Sequence, residues 1–123
     1  MNDRIIESMI QEKGKTAPRI TQSDVNAAMK HVCFFTAYQG VFGEEEFNNG
    51  PRSVIPEELR LLTFCVIVLM NGFTVTGESA CASPENFDPE IGKEIAFRNA
   101  QSKIWSHLGY ELRTKLCNQE RTA

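Results

Sequence analysis

The sequence predicts an α+β fold: a small antiparallel sheet with a long C-terminal helix packed across it and two short helices ahead of it. Three observations carry this reading. The β-rich runs 63–70 and 73–76 are separated by Asn71-Gly72, the strongest short-range hairpin signal. Ile91, Ile95, Ala100, Ile104, Leu108, Leu112 and Leu116 form a continuous apolar stripe near helical spacing. A chain of 123 residues, 41% hydrophobic and 24% charged, suits one domain (1–123) around one modest core.

The elements follow in order. Ile5, Ile6, Met9 and Ile10 recur at helical spacing and Gly14 follows as a stop, so a helix is expected over 2–13 and ends by 14. Lys15 to Ile20 reads as a linker, with Pro18 forcing extended backbone at Ala17. Thr21 is an N-cap with Asp24 three residues on, and Val25, Ala28, Met29 and Val32 give the second helix its apolar face. Residues 31–36 suit a buried strand as well as a helix end; the β-rich content of Val32, Cys33, Phe34 and Phe35 favours a third strand. Gln39 to Pro56 holds Gly40, Gly43, Gly50, Pro51 and Pro56 with the acidic run 44–46, and 38–60 is expected to be a flexible exposed loop.

A two-residue Asn-Gly turn would fix the hairpin register, setting Met70 opposite Phe73, Val68 opposite Val75 and Val66 opposite Gly77 on one greasy face. The other face would then carry Cys65, Ile67 and Leu69 against Thr74, Thr76 and Glu78. Such a face is half covered, either by the N-terminal helices or by a second subunit. Cys65, Ile67, Leu69, Thr74 and Thr76 are therefore the candidate interface residues. Gly77 is read as ending the regular strand, and 79–87 as a polar loop. Asp88-Pro89-Glu90 opens the last helix with an N-cap, a first-position proline and an acid in the first turn. Gly109 lies inside that helix, and residues 118–123 form a polar tail expected to fray.

The stretch from Thr74 to Asp88 is dense in hydroxyls and acids and runs from a strand end into a helix N-terminus, where unpaired N–H groups can receive an anion. Thr76, Glu78, Ser79, Ser83 and Asn86, with Lys93 and Arg98 as cationic partners, form the candidate set for a small nucleotide ligand. Against it, Asp88 as N-cap already satisfies those donors, and Glu78, Glu85 and Asp88 repel a phosphate.

Several classes are disfavoured. The net charge of −3 argues against a nucleic-acid binder, which needs a basic surplus to displace counterions. Lys93, Arg98 and Lys103 read as a solvated helix face. Cys33, Cys65, Cys81 and Cys117 are widely spaced with no C-x-x-C pair, so no metal site and no cofactor is expected. Met1-Asn2-Asp3-Arg4 lacks a signal-like apolar region, so reduced thiols inside a cell are expected. The run Leu61–Met70 is shorter than the roughly 20 residues of a membrane span. Phosphate-loop, dinucleotide, zinc-protease and nucleophile-elbow motifs are missing, so no catalytic residue is assigned. His31 and His107 read as structural or surface residues, and Trp105 as a core anchor.

The string from Leu62 to Asp88, ending in NGFTVTGESACASPENFD, resembles the family named after gene product forty-nine of phage N-four and gene product sixty-six of phage Sf-six. Ile91-Gly92-Lys93, Ala100, Lys103-Ile104-Trp105, Gly109-Tyr110 and Ala17-Pro18-Arg19-Ile20-Thr21 extend the similarity over 15–36 and 61–113. The resemblance implies a phage or prophage origin and work in the cytoplasm of the bacterial host; it implies no activity. The expected function is a non-enzymatic accessory protein that binds a host or defence component, or itself as a homo-oligomer. A nucleotide-signal binder is the alternative, and a nucleic-acid-binding accessory protein a further one.

Overall fold

The computed structural model describes residues 3–15, 17–50 and 52–122 and has the α+β architecture. Helix α1 spans Asp3–Glu12, α2 Gln22–Ala28, strand β1 Met29–Thr36, α3 Ala37–Asn48, β2 Leu62–Leu69, β3 Thr74–Ala80 and α4 Pro89–Thr122; short 3₁₀ turns occupy Glu57–Leu61 and Pro84–Asn86. The strands form one antiparallel sheet in the order β1-β2-β3, and α4 lies across β3 and β2.

Local chemistry sets most boundaries. Thr21 Oγ1 accepts from the Asp24 N–H at 3.3 Å while the Asp24 carboxylate accepts from the Thr21 N–H at 2.8 Å, the reciprocal capping box expected for α2. The helix stops at Ala28, earlier than its apolar spacing suggested. Met29 and Val32 belong to β1, which runs antiparallel to β2 with a bulge between Met29 and His31. The third strand expected near 31–36 is therefore present and starts two residues sooner.

The expected loop over 38–60 is corrected: residues 37–48 are helical. Thr36 caps this helix, accepting from the Gln39 N–H at 3.1 Å, and Gln39 Oε1 accepts from the Thr36 N–H at 2.9 Å. A reciprocal cap starts a helix that the glycines weaken without preventing. The polar C-terminal segment is also helical, through Thr122, with Arg113 reaching Glu120 at 2.8 Å across two turns. Gly109 does not interrupt α4, and β3 continues beyond Gly77 to Ala80.

The hairpin register differs from the two-residue reading by one position. Leu69 donates to the Phe73 carbonyl at 2.8 Å, and the Gly72 N–H donates back to Leu69 at 2.9 Å. The loop is therefore Met70-Asn71-Gly72. Gly72 is left-handed (φ +89°), while Asn71 is not and instead accepts from the Phe73 N–H at 3.0 Å. A type I turn closed by a left-handed glycine takes three residues, whereas the primed turn needs positive φ at both central positions. Ile67 thus faces Val75 and Cys65 faces Gly77; Val68, Val66 and Phe64 face Thr74, Thr76 and Glu78.

That single step moves every side chain to the opposite face. Thr63, Cys65, Ile67 and Leu69 are buried under α4, and Leu62, Phe64, Val66 and Val68 are only half-buried. The core consists of Val25, Cys65, Ile67, Leu69, Val75, Ala96, Ala100 and Ile104. Helix α4 seats on it through Gly92, Ala96, Ala100 and Ile104, a four-residue spacing of mostly small side chains. Burying Ile67 alone contributes about 2–3 kcal/mol.

Candidate functional site

The sheet has one covered and one uncovered face, and the uncovered face is the feature that can do work. β1 supplies His31, Cys33 and Phe35, β2 supplies Phe64, Val66 and Val68, and β3 supplies Thr74, Thr76 and Glu78. The Phe35 and Phe64 rings meet at 5.6 Å between centroids. At that end α3 approaches closely: a methyl group at Gly40 would lie 3.4 Å from the Phe35 ring. Phe35 nevertheless remains 37% exposed. Apolar residues on the central strand thus sit between a polar β3 and a β1 that carries its basic residues, Lys30 and His31, near its start.

The predicted interface set is split by the corrected register. Thr74 and Thr76 are exposed on the open face, whereas Cys65, Ile67 and Leu69 are core residues under α4. The side chains that replace them on that face are Phe64, Val66 and Val68, their neighbours in sequence. An apolar alternation cannot reveal this, because β2 is greasy at every second position on both faces.

The predicted ligand set is not brought together either. Thr76 and Glu78 stand on the open face and Ser79 on the covered one, while Ser83 and Asn86 lie in and beside the 3₁₀ turn before α4. Lys93 and Arg98 belong to α4, on the other side of the sheet; Lys93 Nζ rests 5.9 Å from the Phe34 ring centre and Arg98 Nε bonds Glu94 at 3.1 Å. Asp88 Oδ1 accepts from Glu90 at 2.9 Å and from Ile91 at 3.3 Å, so the α4 N-terminus uses its own cap. His107 Nδ1 lies 2.6 Å from the Lys103 carbonyl with its ring 5.4 Å from Phe73, and Trp105 is half-buried against the core. Among the described residues no His, Cys, Asp and Glu cluster of three or more could hold a metal ion, and no helix is long and apolar enough to cross a membrane.

The cysteines divide by environment. Cys33 is exposed, Cys81 and Cys117 are partly exposed, and Cys65 is buried. Burial, then the nearby Cys33, pushes the Cys65 thiol up to about 11. A disulfide-exchange reagent at pH 8 should therefore modify Cys33, Cys81 and Cys117 in the folded chain and Cys65 only after unfolding. The sign of the pH effect follows from the raised value. The unfolded chain releases this proton near 9 while the folded chain keeps it, so the contribution is present below pH 9 and falls as pH rises toward 11. Rapid labelling of Cys65 under native conditions would contradict its placement.

Residues 20–116 match the phage protein (N4 Gp49/phage Sf6 gene 66) family. The chain belongs to this family. No curated protein and no solved structure matches it. The matched span begins at Ile20, just before the α2 capping box, and ends at Leu116 within α4. It therefore takes in the whole sheet, the uncovered face and the helix that packs behind it, and leaves α1 outside. Sequence reasoning on this phage protein missed α3, although Thr36-Ala-Tyr-Gln39 is a capping-box string that could have revealed it.

Proposed function

We propose that this phage protein is a non-enzymatic accessory protein that works by binding a protein of the bacterial host, and that its contact surface is the uncovered sheet face. The observation that carries this is the row Phe35, Phe64, Val66 and Val68, left half-buried or exposed on a sheet whose other face is sealed by α4. Three strands spaced ~4.8 Å apart make a patch ~14 Å wide, and ~25 Å of strand gives it a few hundred Å² in all. The apolar part of that face is the central row with Phe35, and an apolar strip rimmed by polar residues suits a contact with another protein. The rim is Thr74, Thr76 and Glu78 on one side and His31 on the other, which supplies direction to an otherwise greasy surface.

Quantitative affinity capture from host lysate tests the reading. Wild-type chain and a Ser102→Lys control on α4 should recover the same host polypeptide in near-stoichiometric amount. Val66→Lys and Thr76→Lys, which place a charge on the open face, should lose it by about ten-fold or more. Recovery of nothing above background by the wild type, or equal recovery by Val66→Lys, overturns the proposal.

A further inference from the structure

We infer that the outer edge of β1 pairs with a second copy of the chain, joining two sheets into one of twice the width. The inference does not depend on what the open face binds; it rests on where the main-chain groups point.

Both main-chain groups of Leu69 face β3, since its N–H donates to Phe73 and its carbonyl accepts from Gly72. Main-chain direction alternates along an antiparallel strand. The groups of Val68, Val66 and Phe64 therefore turn toward β1, where they meet His31, Cys33 and Phe35. Val32 and Phe34, the alternate residues of β1, point their N–H and C=O groups away from the sheet. No strand flanks them on that side among the described residues. At Thr36 the outward N–H is taken by Gln39 at 2.9 Å, which closes the edge there. At the other end the bulge between Met29 and His31 breaks the alternation.

The opposite edge of the sheet is not equivalent. On β3 the outward groups belong to Thr74, Thr76 and Glu78, and α4 crosses that strand closely enough for Asn99 Nδ2 to donate to the Glu78 carbonyl at 2.8 Å. One edge is thus obstructed by the chain's own helix, and the other presents a short open ladder.

That ladder is self-complementary. In a two-fold antiparallel pairing centred on Cys33, Val32 lies opposite the partner's Phe34 and Phe34 opposite the partner's Val32, so the outward donors and acceptors of these two residues are matched in both copies. Moving the centre toward Phe34 sets Val32 against the partner's Thr36, whose N–H is already used; moving it toward Val32 brings in the bulge. Charge agrees with the same arrangement. The basic residues Lys30 and His31 sit at one end of β1, and the two-fold places the two basic ends at opposite ends of the ribbon. Edge pairing of one strand buries less per copy than the ~800 Å² of a standard interface, so the dimer is weak and concentration-dependent. It also sets the open faces of the two copies side by side.

The register makes a sharp prediction for disulfide trapping. Cys33 and the partner's Cys33 form a non-hydrogen-bonded pair with Cα atoms ~4.5 Å apart, inside the range a disulfide spans. Cys81→Ser/Cys117→Ser protein, which keeps Cys33 and buried Cys65, should form a covalent dimer when treated with a mild oxidant. The same background with Cys33→Ser and Phe35→Cys places a thiol on the same face but ~13 Å from its symmetry mate. It should link at least about ten-fold more slowly. Val32→Pro removes one outward N–H without touching the β2 ladder, so it should keep wild-type circular dichroism and slow linking at Cys33 by a similar factor. Sedimentation velocity on reduced wild type should show reversible dimer at about 100 µM. Equal linking rates at positions 33 and 35, unchanged linking in folded Val32→Pro, or a strict monomer at all concentrations would each overturn the assignment. The last result would leave the edge to a strand from another protein.

Discussion

Gly77→Ala is expected to destabilise the chain by at least ~3 kcal/mol, and Gly77→Val to prevent folding at 37 °C. The reason lies in how closely α4 sits on β3. A Cβ built at Gly77 would lie 2.3 Å from the Ala100 nitrogen, 2.3 Å from the Ala96 oxygen and 2.9 Å from the Asn99 carbonyl carbon. These are main-chain atoms in the middle of a long helix, so no side chain can rotate away to make room. The helix must lift off the sheet, and lifting it uncovers Ile67, Val75 and Ile104 while pulling Asn99 from the Glu78 carbonyl. Trimming Ala96 or Ala100 to glycine should not rescue the variant, because neither methyl group is the obstacle. Gly109→Ala is the internal control: nothing lies within 4 Å of its added methyl, and it should stabilise the helix by up to ~1 kcal/mol. Thermal unfolding reads both, at roughly 3–5 °C per kcal/mol for a chain of this size. A Gly77→Ala protein melting within a few degrees of wild type would show that helix and sheet are not in such contact.

The same glycine shows what the sequence could and could not disclose. Asn71-Gly72 between apolar runs correctly locates a reversal, and Asp88-Pro89 correctly locates the start of the long helix, because both signals are local. The capping box at Thr21 is local too. The register across the hairpin is not. Asn-Gly fits a two-residue turn and also a three-residue turn in which only the glycine is left-handed, and the choice is made by tertiary contact. Gly77 must stand on the side that receives α4, which forces Cys65 and Ile67 to the same side. Since β2 is apolar on both faces, nothing within the strand itself selects between the alternatives. The interface residues inferred from register therefore came out one position off: the surface belongs to Val66 and Val68, next to Ile67 and Leu69. The α3 helix was hidden for a different reason. Its glycines and acidic run resemble a loop by composition, and the two capping residues that start it are a weak signal against that background. The unpaired edge of β1 follows from the hydrogen-bond parity that the hairpin closure sets, and becomes visible only once that closure is known.

Two neighbouring lysine substitutions should behave oppositely, and their contrast decides which face of β2 is inside. Ile67→Lys is expected to leave the chain unfolded, or at least ~4 kcal/mol less stable, because Ile67 is fully buried and an ammonium there has no partner and no water. Val66→Lys should cost under ~1 kcal/mol, since Val66 lies on the uncovered face and a lysine stem can lie along Phe64 and Val68 while its charge reaches solvent. Urea titrations separate the two, because ~4 kcal/mol corresponds to a midpoint shift of roughly 2 M for a small domain. With the register of a two-residue turn the pattern would invert, with Val66 opposite Gly77 beneath the helix and Ile67 opposite Thr76 outside. Val66→Lys then unfolds and Ile67→Lys is tolerated. The experiment therefore bears on more than stability. A folded Val66→Lys protein is the reagent that removes the open face without removing the fold, so any partner lost with it is lost for want of that surface.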